Sequence, residues 1–171
     1  MNRPPETLVV GIGSPHGDDT AGWNVVDQLG QCIESPVNLR KAASPHDLLD
    51  WLAEVEYLHV VDACQAVVGV QSVDLSADHD GVACPMLVRQ HIDLTTTRES
   101  AGMLPETRCL YTHQLDLLQV LDLAKALDRL PSHVTLWAIA GKNFSPGSDL
   151  SATSKAAIEF GTRLIQRELR S

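Results

Sequence analysis

The chain has 171 residues, a formal net charge of −9 and 44% apolar residues. An acidic balance without a basic run argues against a nucleic-acid partner, and no apolar stretch approaches the roughly 18 residues of a membrane span. The length suits one domain, residues 1–171, with a substantial core.

The first readable element is Thr7–Gly13, a continuous apolar run predicted as a strand buried on both faces. Gly11 and Gly13 break it, and the loop Ser14-Pro15-His16-Gly17 leads to two adjacent acids, Asp18 and Asp19. A helix is predicted from Thr20 to Cys32, with Trp23, Val26, Leu29 and Ile33 near one face. The acids therefore fall at a strand–loop–helix junction, where open α/β sheets bind ligands. A dinucleotide fingerprint fails here: the third glycine is replaced by His16, and two carboxylates would repel a pyrophosphate. The ordinary alternative is Asp18 as N-cap and Asp19 as a first-turn acid favoured by the helix dipole.

Val37–Ala42 reads as a short strand, and Ser44-Pro45 as cap and first residue of a helix carrying Leu48, Leu49, Leu52 and Val55. Tyr57–Ala63 is the next strand, and Asp62 closes it. A lone acid ending an apolar strand either forms a turn or points into the cleft at the sheet's carboxyl edge. Gly69–Leu75 has the alternation of a strand, and Met86–Leu94 is a further candidate inside the polar stretch Asp78–Thr107. Thr112 then reads as an N-cap and His113 as the first residue of a helix reaching about Arg129, its apolar side carrying Leu117, Leu118, Leu121, Ala124 and Leu127. A helix N-terminus favours neutral imidazole, the form that ligates metals or accepts protons. Val134–Gly141 is the last strand, and Ser151 or Thr153 caps a closing helix to about Leu169. Strands alternating with helices predict a three-layer α/β/α sandwich with a mostly parallel central sheet.

Asp19, Asp62 and His113 thus share one address, the carboxyl edge of the sheet. Two carboxylates and an imidazole suit a divalent transition metal with open positions. The cysteines, Cys32, Cys64, Cys84 and Cys109, are widely spaced and form no C-x-x-C pair. That spacing predicts reduced thiols and a cytoplasmic protein. Met1–Thr7, polar with two prolines, does not read as a signal peptide.

Gly11-Ile12-Gly13, Asp18-Asp19 with Gly22, Val60-Val61-Asp62-Ala63, His113-Gln114-Leu115 and the strand Val134–Gly141 with Leu150-Ser151 resemble, in that order, the hydrogenase maturation endopeptidases. The resemblance spans about positions 7 to 169. It implies a phosphorylase/hydrolase-like α/β/α sandwich. It also implies a nickel-dependent protease that removes the C-terminal tail of a NiFe-hydrogenase large-subunit precursor. Asp19, Asp62 and His113 would contact a nickel ion that arrives with the substrate. The sequence departs from the family pattern in two loops. Ser14 stands where the family has Asn, in a loop one residue shorter, and Thr20 replaces a glycine. The glycine-rich loop after the second strand is Ala42-Ala43-Ser44-Pro45-His46-Asp47. His16 and His46 are thereby added near the cleft, as loop residues, extra ligands or bases. These changes keep two other readings open: a non-catalytic checkpoint that binds a metal or a metal-loaded partner, and a related hydrolase with another protein substrate.

Overall fold

A computed structural model describes residues 6–34, 36–65, 87–92, 110–111 and 114–170. Among these residues six strands form one sheet: β1 (Glu6–Ile12), β2 (Asn38–Ala42), β3 (Val55–Gln65), β4 (Leu87–Ile92), β5 (Leu110–Tyr111) and β6 (His133–Gly141). Their order is β2-β1-β3-β6-β4, and β5 pairs with β3. The four strands β2-β1-β3-β6 run parallel, as predicted; β4 is antiparallel to β6, and β5 to β3. The strand expected within Met86–Leu94 is β4. The strand expected at Gly69–Leu75, and Thr112 and His113, lie outside the described residues.

Among the described residues three helices cover the sheet: α1 (Ala21–Cys32), α2 (Gln114–Ala126) and α3 (Ala152–Glu168). The alternation of the strands explains the layers. Val9, Val61, Ala63, Trp137 and Ile139 face Ala21, Val25 and Leu29 of α1 and Ala157, Ile158 and Ile165 of α3. Leu8, Val10, Leu58, Val60, Val134 and Leu136 face Leu117, Val120, Leu121 and Ala124 of α2. Each central strand is buried on both sides, which is why β1, β3 and β6 read as unbroken apolar runs.

Two local expectations need correction. The segment opened by Ser44 is a 3-10 turn, Pro45–Asp50, held by a capping box in which Asp47 returns a bond to the Ser44 N–H. Val55 is not on that segment: Glu54 takes φ 67°, the chain reverses, and Val55 opens β3. Asp18 and Asp19 likewise lie in a 3-10 turn, Gly17–Thr20, one step before α1, and Asp18 caps no helix of its own.

A buried polar pair, unannounced by sequence pattern, crosses the sheet. Trp137 Nε1 donates to His59 Nδ1 at 3.2 Å, and the two residues are 1% and 6% exposed. Trp137→Phe keeps most of the apolar volume but leaves that nitrogen without its donor. The expected cost is about 1–2 kcal/mol, or a Tm lower by roughly 3–6 °C in a calorimetric scan.

Candidate functional site

The site begins where α1 meets the ends of β1 and β3. Gly11 pairs with Val61, so Asp62 follows directly beside Ile12. The N-terminus of α1 presses onto this point through Gly22. A Cβ there would lie 2.4 Å from the Ile12 carbonyl oxygen and 2.5 Å from that of Val61. Only glycine permits so close an approach, and it brings the preceding turn down onto the carboxyl edge. Gly13 does the same one step further along: its absent Cβ would meet the Asp19 carbonyl oxygen at 2.1 Å, and Ser14 N–H donates to that oxygen at 3.3 Å. Asp19 and Asp62 therefore come to one corner of the sheet.

The two acids of the turn have different fates. Asp18 is fully buried and serves as a clamp. Its Oδ2 accepts from the Lys142 N–H at 2.7 Å and the Asn143 N–H at 3.0 Å, and its Oδ1 from the Ser151 N–H at 2.7 Å. Burial pushes this carboxyl up, but the bonds from the Lys142, Ser151 and Asn143 backbone, helped by the Ser151 side chain, outweigh it and hold the group below the usual carboxylate range. Further bonds close the same seam. Gly17 N–H donates to the Ser148 carbonyl, Asp18 N–H to that of Asn143, and Gly147 N–H to His16 Nδ1. Gly17, at φ 51°, lies against Asn143 and Ser148 where a side chain would collide. The loop 142–151 is thus sewn to the turn that carries Asp19.

Asp19 is 8% exposed, and its Oδ1 is buried without a hydrogen-bond partner among the described residues. A buried carboxylate oxygen left unpaired is costly. Asp62 is 3% exposed. By the alternation of β3 it lies on the face of Val60 and Leu58, the face that α2 covers. Cys64 is buried and Cys32 is exposed.

Of the two loop histidines, His16 spends Nδ1 on the Gly147 N–H, and His46 pairs its Nδ1 with Ser44 Oγ at 3.1 Å. Their immediate partners are loop atoms. Among the described residues, no three His, Cys, Asp or Glu side chains come together to hold a metal ion; His113 lies outside those residues.

No family model matches the chain, and no curated protein matches its sequence. Solved structures do. The hydrogenase maturating endopeptidase HybD from Escherichia coli superposes with a TM-score of 0.68 at 20% identity, over 96% of this chain and 92% of its own. This chain has the fold of those endopeptidases. A hydrogenase 2 maturation peptidase from a Thaumarchaeota archaeon gives 0.62 at 24% identity, over 96% and 97% of the two chains. The maturation protease HycI from Thermococcus kodakarensis gives 0.63 at 17% identity, over 97% and 93%. The α/β/α sandwich expected from the strand and helix pattern is the one these endopeptidases have.

Among the described residues, no helix is long and apolar enough to cross a membrane.

Proposed function

We propose that this chain, acting as one domain in the cytoplasm, is a nickel-dependent endopeptidase that removes the C-terminal tail of a NiFe-hydrogenase large-subunit precursor. The observation that carries the reading is Asp19 Oδ1, a buried carboxylate oxygen without a partner among the described residues, at a sheet corner shared with Asp62, in the fold of the hydrogenase maturation endopeptidases. Oxygen donors with room for a third ligand fit a borderline divalent ion. The nickel belongs to the substrate, so Asp19 and Asp62 complete its coordination when the precursor docks. His113 is the proposed third ligand. Tyr111 pairs with Cys64, two residues past Asp62, and His113 is two residues past Tyr111 in the chain, directly before α2. A metal held there supplies Lewis acidity at the scissile carbonyl or at a water. The chain's own contribution is to fix the two carboxylates on a rigid edge, with His113 or a carboxylate moving the proton to the departing amine.

The test is the intact mass of a nickel-loaded large-subunit precursor incubated with the protein and with its His113→Ala variant. The expected result is loss of a C-terminal peptide that requires both nickel and His113. An unchanged mass with a competent precursor overturns the protease reading. Stable binding without cleavage would then favour the checkpoint role, for which the altered loops 14–17 and 43–47 are the motive.

A further inference from the structure

At the amino end of the sheet, away from the acidic corner, is a cavity of about 420 Å³ lined in part by Tyr57, His59, His91, His133, Thr135 and Glu168. Its histidines are brought together by strand register. Tyr57 and His133 are partners across β3 and β6, and Thr135, the next residue on that face of β6, has His59 on one side and His91 on the other. Three imidazoles from three strands thus line one face, where the end of α3 closes the cavity through Glu168.

The three are not equivalent. His59 is buried and takes the Trp137 N–H on Nδ1. His91 and His133 are exposed, with ring centres 6.1 Å apart and planes inclined by 34°. The His133 ring is also braced: it stacks on Tyr57 at 4.7 Å and 9°. Two imidazoles that bind one ion through nitrogens at ~2.0–2.1 Å place their ring centres roughly 4.5–6.5 Å apart. At the ligand angles of tetrahedral and octahedral sites the spacing is ~4.5–5.3 Å, so the 6.1 Å pair closes by about 1 Å, through the exposed His91 ring, when it takes an ion.

We propose that His91 and His133 form a second metal site, which chelates a divalent cation of the nickel, copper or zinc class. Imidazole nitrogens select these ions over calcium or magnesium. The antiparallel β4–β6 pairing places the two residues side by side and the Tyr57 stack braces the His133 ring before the ion arrives, so less ordering is lost on binding. Because no three donors converge among the described residues, water fills the remaining positions and the ion exchanges readily. Asp18 packs on Gly141 at the other end of β6. Eight residue-to-residue steps of strand separate Gly141 from His133, about 26 Å at ~3.3 Å per step, so this site and the acidic corner do not share ligands.

The experiment titrates Ni2+ into the full-length protein and follows the histidine ring resonances by NMR, with affinity read by competition against a chromophoric chelator. The His91 and His133 signals are expected to broaden first and together. His91→Gln, and His133→Phe, which preserves a ring on Tyr57, are each expected to weaken this binding at least tenfold. Asp19→Asn and Asp62→Asn are expected to leave it in place. Broadening centred on other histidines in the parent protein overturns the assignment without recourse to any variant. So does a double His91→Gln, His133→Phe variant that binds Ni2+ as tightly as the parent, or an ion lost through Asp19→Asn and kept in His91→Gln.

Discussion

Asp19→Asn is expected to yield a protein at least as stable as the parent that removes the precursor tail at least 100-fold more slowly. The two halves of this result have one cause. In the folded chain the Asp19 carboxylate is 8% exposed, and one of its oxygens meets no donor among the described residues. An unsatisfied buried polar atom costs about 1–3 kcal/mol. An amide of the same shape carries no charge to strip of water, so the melting temperature should hold or rise. On the proposed reading, the price of that unsatisfied oxygen is recovered only when a cation meets it. The neutral amide removes the charge that a nickel-bearing substrate needs, and a 100-fold loss corresponds to about 2.7 kcal/mol of transition-state stabilisation. Thermal scans and initial rates of tail release on a nickel-loaded precursor check the two halves separately. An Asp19→Asn protein that melts several degrees lower and cleaves normally would make Asp19 a structural residue, and the proposed ligand set would fall with it.

How much of this was legible in the sequence depends on which atoms carried the signal. β1, β3 and β6 were readable because a strand covered on both faces must be apolar at every step. α3 was readable because Ser151 is a cap whose side chain accepts the Ser154 N–H. Asp62 stood out as a charge in such a run, though it does not close it: β3 continues to Gln65. What escaped was carried by backbone. The donors that bind Asp18 belong to Lys142, Asn143 and Ser151, three main-chain N–H groups that any residue but proline supplies. No residue type announces them, so Asp18 read as a helix cap. The only hint was the surplus of a second acid where one would cap. The extent of the segment after Ser44 was misread for a related reason. Apolar spacing through Val55 mimicked a helix, while Glu54 turned the chain through a left-handed φ that its side chain does not advertise. His59 escaped because an imidazole inside an apolar strand has no pattern until its partner, Trp137, is placed 78 residues away.

The clamp gives the other large effect. Asp18→Ala is expected to cost about 3 kcal/mol and to lower Tm by roughly 6–12 °C. The substitution removes the common acceptor of three part-buried N–H groups and leaves a hole where the buried carboxylate was. Asp18→Asn should cost less but not be neutral. One amide oxygen can accept, while the NH2 group turns a donor toward a backbone donor. The same bonds set a pH dependence. They hold the folded Asp18 carboxyl below its unfolded value, so the stabilisation is complete above the ordinary carboxylate pKa of about 3.9 and is lost as pH falls through the folded value. Chemical denaturation between neutral pH and pH 3 should therefore show the parent losing stability on acidification, with part of that loss missing from Asp18→Asn. If the two proteins keep a constant stability gap down to pH 3, the carboxylate is not what holds the seam. The clamp also bears on the reaction: the turn tied to loop 142–151 is the turn that carries Asp19, so Asp18→Asn should slow tail removal even at temperatures where the protein is fully folded. Its neighbour Asp19 keeps its carboxyl group but is no longer held on the sheet corner, and the expected defect is slower cleavage at unchanged metal requirement. Asp19→Asn, by contrast, should weaken the metal requirement itself.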